Sequence, residues 1–219
     1  MISAELGRVA GFSVVMAALA TVLMFPPGIA LAWLLARRPF PGRAVVETLV
    51  SLPLVLPPVA TGLILLRLFG RRGPIGRVLD EIGLDVVFTW KAVVIAMAVM
   101  GFPLFVRAAR SGFEHVDQRY EQIASTLGAS PIRVFLTISL PLAGRGVMAG
   151  VVLGFSRALG EFGATVMIAG TLPGSRTLST AIYSFTQTGQ DGPATVLLCV
   201  AAGIAFAAIF VSNRLGATG

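Results

Sequence analysis

The chain has 219 residues, 56% of them hydrophobic and 12% charged, with a mean hydropathy of +0.88. Soluble domains carry about 25% charged residues, so a soluble enzyme or binding module is excluded. The formal charge of +7 comes from sixteen arginines and one lysine, which mostly flank apolar runs as membrane-end anchors do, so it points away from nucleic acid.

About 20 apolar residues in a helix cross a bilayer core. The first candidate span, 11–36, is free of charge and longer than the roughly 7–15 residues of a signal-peptide core. Pro26, Pro27 and Gly28 lie inside it, so it should bend or break into two pieces. The second span, 48–66, contains Pro53, Pro57 and Pro58. Backbone carbonyls freed by so many prolines need neighbouring helices or a water-lined cavity, which places this span in the interior or along a pathway.

The third span is 86–106, with Trp90 and Lys91 at an interface and Pro103 near the far end. The fourth, 146–170, carries Gly146, Gly150 and Gly154 at four-residue intervals. Such spacing lets backbones approach closely, either within one subunit or between two. Further along, Arg157 and Glu161 share a helix face and can pair. Ionisable groups at membrane depth face an interior, a cavity or each other, so this is a structural ion pair or part of a pathway. Gly160 and Gly163 flank Glu161 and Phe162 and let the helix bend there. Pro57, Pro58, Arg157, Gly160, Glu161, Phe162, Gly163 and Thr165 are the pathway or gate candidates. The fifth span is 193–212. The expectation is an all-α integral membrane protein of about five transmembrane helices, forming one transmembrane domain over 1–219 with its core at 9–213.

Between spans three and four lies a polar, amphipathic segment, 107–145. Asp117 suits a helix N-cap, with Glu121 in the first turns where a carboxylate complements the helix dipole. Gly128 suits a left-handed C-terminus, and Ser130-Pro131 reads as the cap and first residue of a second helix. Ile132, Phe135, Leu136 and Ser139 should share one face, with Pro141 disrupting or ending the helix. The result is a compact helix–turn–helix knob suited to a groove on a partner.

Within EQIASTLGASPIRVFLTISLP (121–141), Glu121 and Ala124 precede Gly128, and Ile138, Leu140 and Pro141 follow it at ten, twelve and thirteen residues. This spacing resembles the EAA cytoplasmic loop of type I ABC importer permeases. One departure is Ile123, where the family usually has alanine. Over nearly its whole length the chain resembles the molybdate permease subfamily, through LPLVLPPVATG (52–62), GRRGPIG (70–76), FPLFVRAAR (102–110), TLGASPIRVFLTISLP (126–141) and SRALGEFGAT (156–165). Sulfate, thiosulfate and tungstate permeases of the same branch remain alternatives.

The resemblance implies a homodimer of permeases, two cytoplasmic ABC ATPase subunits and an extracytoplasmic oxyanion-binding protein. It implies that Glu121, Ala124, Leu127, Gly128, Ala129, Ile138, Leu140 and Pro141 form the ATPase-coupling loop. It also sets the orientation in the bacterial cytoplasmic membrane, N-terminus outside and C-terminus inside, which the nearly balanced basic residues leave open. The outer surface would then come from 67–91 and from 171–191, the latter with a short surface helix.

Other chemistry finds no support. A phosphate-binding loop needs GxxxxGK followed by Ser or Thr, but the only lysine, Lys91, follows Trp90. The chain therefore binds no cofactor of its own, and ATP and magnesium belong to a partner. His115 and Cys199 are each the sole residue of their kind, make no metal set, and the HExxH of a metalloprotease is absent. A membrane hydrolase would need a histidine at membrane depth, and a channel would show a filter loop or rings of charge. A non-transporting assembly subunit would leave the proline-rich spans unexplained.

Overall fold

The computed structural model describes residues 2–172 and 174–217. Met1, Pro173 and the last two positions, which the single-domain expectation includes, lie outside the described residues. No strand occurs among the described residues.

Helix α1 spans Ile2–Arg37 and passes Pro26 and Pro27 without a break, so of the two outcomes left open by the sequence, a bend or a break, the break does not occur. At 1.5 Å per residue it reaches about 54 Å, well beyond the roughly 30 Å hydrocarbon core. The expected second span is two helices, α2 (Arg43–Val55) and α3 (Pro58–Phe69), meeting at 114°. The turn is local chemistry. Leu56 precedes a proline and is held extended (φ −67°, ψ 142°), as Pro Cδ demands of its predecessor. Pro58 then opens α3, where a missing N–H costs nothing.

The interior expectation fails for α2, which has no buried residue; Thr61, Gly62 and Leu65 of α3 are buried. Val45, Leu49 and Val55 of α2 are exposed while Val46 and Val50 pack against the core, so α2 lies on the surface of this chain with one apolar face uncovered. A short helix, α4 (Pro74–Glu81), precedes α5 (Trp90–Glu114). The third span thus begins and ends later than expected, with Thr89 capping it through Lys91 N–H.

After α5 come α6 (Gln118–Thr126), α7 (Pro131–Leu142) and α8 (Gly144–Leu159), the last two bent by 73° at Ala143. Within α7, Phe135–Ser139 forms a π-helical turn, and Leu140 N–H donates to Phe135 O, five residues back. The widened turn lets the helix carry Pro141 rather than end there. The expected fourth span continues after the break at 160–162 as α9 (Gly163–Ala169), followed by α10 (Leu178–Gln187) and α11 (Asp191–Ala217).

Helix α5 is the centre of the molecule, with thirteen buried residues including Phe105, Met97 and Phe113. It is flanked by α1 and α8. The glycine triplet of α8 packs here, within the subunit. A Cβ on Gly101 would lie 2.7 Å from Gly154 O, one on Gly112 would lie 2.8 Å from Gly146 Cα, and one on Gly150 would lie 2.8 Å from Phe105 O. No side chain fits between these backbones. The expected short surface helix, α10, docks one face on the bundle: Leu178, Thr180 and Ala181 are buried and Leu178 N–H donates to Ser13 Oγ of α1 at 2.7 Å, while Tyr183 is exposed.

Candidate functional site

Two constellations stand out, one at each kind of irregular backbone. The first is the knob formed by α6 and α7. Asp117 accepts from Arg119 N–H at 2.9 Å and caps α6. At the other end Gly128 takes φ +84°, Gly128 N–H bonds Ser125 O, and Ala129 N–H reaches back to Ala124 O, each at 3.1 Å. These two bonds are a Schellman motif, which satisfies the Ala124 and Ser125 carbonyls at the end of α6. Ser130 caps α7 through Arg133 N–H, with Pro131 at its first position.

The tip of the knob is apolar and open. Leu127 is 81% exposed and Ile132 73%, and Tyr120, Ile123 and Leu136 are also exposed. Ala124, Ala129, Ile138 and Leu140 are half-buried, and Pro141 is exposed. The expected common face of Ile132, Phe135, Leu136 and Ser139 is split. Phe135 and Ser139 turn inward while Ile132 and Leu136 turn out, as adjacent positions 135 and 136 point about 100° apart around a helix.

Glu121 faces inward as well. Its Oε1 accepts from Arg37 Nε at 3.0 Å and Ser139 Oγ at 2.8 Å, and lies 2.9 Å from Arg37 Nη2. Arg37 Nη2 also donates to Val116 O at 2.9 Å. The Arg37 side chain is only 6% exposed and that of Glu121 19%. The sequence carries no local signal for this partner: Arg37 follows an apolar run and reads as a membrane-end anchor. In a separate cluster, Glu47 of α2 pairs with Arg43 at 2.8 Å and with Arg110 of α5 at 2.9 Å.

The second constellation joins the two helix breaks. A Cβ on Gly163 would lie 2.7 Å from Pro58 Cβ, and one on Gly62 would lie 2.7 Å from Ala164 Cα. The kink at Pro57 and Pro58 therefore sits against the break at 160–162. Glu161 is the buried member of this site, 1% exposed, with Oε2 2.7 Å from Arg157 Nη1. Its Oε1 accepts from Ala164 N–H at 2.7 Å, capping α9. Arg157 keeps 26% of its side chain exposed, and Gly160, Pro57 and Pro58 border the open side. Phe162 packs against Tyr183 of α10, ring centroids 5.0 Å apart. Thr165 is fully buried and its hydroxyl has no partner, so it faces the interior rather than an open path. Seven of the eight sequence candidates thus meet around one pair of breaks, and Thr165 lies behind them.

Among the described residues no group of three or more His, Cys, Asp or Glu side chains could hold a metal ion. His115 Nδ1 lies 2.6 Å from Ser111 O within its own helix end.

An all-helical body with broken spans and a projecting helix–turn–helix is the form of an ABC importer's membrane subunit. The chain superposes on a bacterial ABC transporter involved in alginate import with a TM-score of 0.74 at 18% identity, covering 98% of this chain and 80% of that one. On the inward-facing MetNI methionine transporter the TM-score is 0.68 at 17% identity, covering 96% and 95%. At sequence level, residues 28–216 match the family described as binding-protein-dependent transport system inner membrane component, and the chain belongs to that family. It is 46% identical over 206 residues to the molybdenum transport system permease protein ModB of Escherichia coli K12, covering 93% of this chain and 90% of that one. It is 49% identical over 177 residues to ModB of Haemophilus influenzae, covering 80% and 77%. The sulfate transport system permease protein CysT of Salmonella typhimurium is 33% identical over 194 residues, covering 86% and 70%.

Proposed function

We propose that this chain is the membrane-spanning permease of an ATP-driven molybdate importer, working as a homodimer with two cytoplasmic ATPase subunits and an outer oxyanion-binding protein. The observation that carries the reading is the knob: a rigidly capped helix–turn–helix whose exposed tip is Leu127 and Ile132. Exposed side chains of that size have no reason to face water and suit a hydrophobic groove on a partner. ATP and magnesium would be bound by that partner.

With the knob inside, Arg37 at the end of α1 is also inside, and the start of α1 lies outside. ATP-driven closure of the ATPase pair pushes the two knobs together, and each push enters the bundle through Ala143, where α7 turns by 73° into α8. The paired breaks then rearrange to open the pathway alternately to either side. A buried carboxylate that both holds Arg157 and caps α9 keeps the closed arrangement defined, while the guanidinium stays near the open side. An anion crossing the membrane needs such a compensating charge, because a bare charge at that depth is costly.

The 46–49% identity to molybdenum permeases, against 33% to the sulfate permease, supports molybdate over sulfate. Labelled molybdate uptake in cells carrying the whole transporter, with and without this chain, tests the reading. Uptake that requires the chain and resists excess sulfate supports it. Uptake abolished by sulfate moves the chain to the sulfate branch, and no ATP-dependent anion uptake refutes the reading.

A further inference from the structure

Two side chains separated by 84 positions join four parts of the chain at one point. Arg37 ends α1, Glu121 lies in the first turn of α6, Ser139 ends the π turn of α7, and Val116 O belongs to the link between α5 and α6. The contacts from Arg37 Nε, Arg37 Nη2 and Ser139 Oγ all converge on Glu121 Oε1.

We propose that Arg37 is a positioning residue that fixes the knob to the last turn of α1, so that α1 moves with the knob as the ATPase closes. Glu121 serves this internal joint. The proposal rests on the permease reading above. It follows from three observations. Arg37 is 6% exposed, whereas an arginine anchoring a helix end to the headgroups keeps its guanidinium in water. Its forked head is used twice, on a carboxylate and on a backbone carbonyl, which lysine's point charge cannot reproduce. The apolar tip residues Leu127 and Ile132 are exposed and take no part in this joint, so docking and anchoring use different side chains of the knob.

Without the joint, the knob still docks, but its displacement reaches the bundle only through the bend at Ala143. Part of each stroke is then lost in rocking of the knob. The observable is transport per ATP hydrolysed, a ratio that neither simple misfolding nor loss of docking alters in this way.

The test uses the assembled transporter in proteoliposomes. Arg37→Gln should retain ATPase copurification and ATP hydrolysis while uptake per ATP falls about tenfold, the equivalent of one charge-assisted hydrogen bond in a two-state balance. Leu127→Asp, on the exposed tip, should instead lose copurification. Should Arg37→Gln fail to accumulate, Arg37→Lys gives the reading, keeping the charge but not the fork, with a fall of about threefold expected. In a second arm, Arg37→Cys with Glu121→Cys is made alongside Cys199→Ser, since Cys199 is free and exposed. A short bis(methanethiosulfonate) spacer, which forms a disulfide with each new cysteine and releases methanesulfinate, should restore the ratio, and reductant should remove the gain. An unchanged ratio in Arg37→Gln or Arg37→Lys, loss of ATPase from Arg37→Gln, or a spacer that restores nothing overturns the proposal. Wild type run alongside separates the two readings: wild type without ATP-driven uptake refutes the permease reading, whereas wild-type uptake with an unaltered variant ratio refutes only the joint.

Discussion

Glu161 has two bonds to lose, and its substitutions separate them. Glu161→Ala removes the partner of Arg157 and the acceptor of Ala164 N–H, both at 2.7 Å. Losing a helix cap costs about 1 kcal/mol. Breaking a buried ion pair costs about 3–5 kcal/mol, but Arg157 retains 26% exposure, and partial solvation of the stranded charge reduces this to about 2–3 kcal/mol. The alanine variant should therefore lose about 3–4 kcal/mol in a detergent unfolding titration. Glu161→Gln keeps an oxygen for Ala164 N–H and should lose about 2 kcal/mol. Arg157→Gln with Glu161→Gln strands no charge and should return to within about 1 kcal/mol of wild type. Uptake should not return with it. In a pathway that needs the guanidinium, the double variant assembles and transports at least about tenfold more slowly, about 1.4 kcal/mol in the barrier. A double variant that transports like wild type would reduce the pair to a structural device. An alanine variant as stable as wild type would refute the burial argument itself.

Two further substitutions test the knob and the glycine contacts. Gly128 has φ +84°, and a Cβ placed on it would meet nothing within 4 Å, so Gly128→Val meets strain of about 1–2 kcal/mol rather than a clash. It should insert normally and lose ATPase copurification, whereas normal copurification would show that the turn tolerates reshaping. Gly112→Leu meets backbone 2.8 Å away, which cannot rotate aside, and should destabilise by about 3 kcal/mol or more, the upper end of ordinary overpacking. Gly144→Ala, with open space around it, is the neutral control, and melting both in detergent distinguishes them.

What the sequence made legible was whatever is decided within a few residues. The caps at Asp117 and Ser130, the left-handed Gly128 and the weak point around Gly160 and Gly163 are all local chemistry, and the structure places them as read. The extended pre-proline Leu56 was equally local, yet hydropathy ran unbroken across it and the 114° turn was missed. Apolar composition records that a segment avoids water and is silent on its direction. The Arg37–Glu121 bond spans 84 positions, and no periodicity in either segment points to the other. The π turn escaped for another reason: it is a response of the packed helix to Pro141, with Trp33 set edge-on against Phe135, and depends on tertiary neighbours. The glycine triplet announced close approach but not to what. Its partners, Gly101 and Gly112, become visible only once α5 and α8 lie side by side.

That side-by-side contact has a mechanical consequence. Helices separated by long side chains slide past one another as rotamers exchange, but α5 and α8 meet backbone to backbone at Gly101–Gly154 and Gly112–Gly146, and have no such lubricating layer. They form a single stiff beam across much of the bilayer, with its soft joints at either end, Ala143 and Gly160. A displacement delivered at one joint arrives at the other almost undiminished. Compliance is confined to a few residues at those joints, and the long apolar stretch between them is free to be plain.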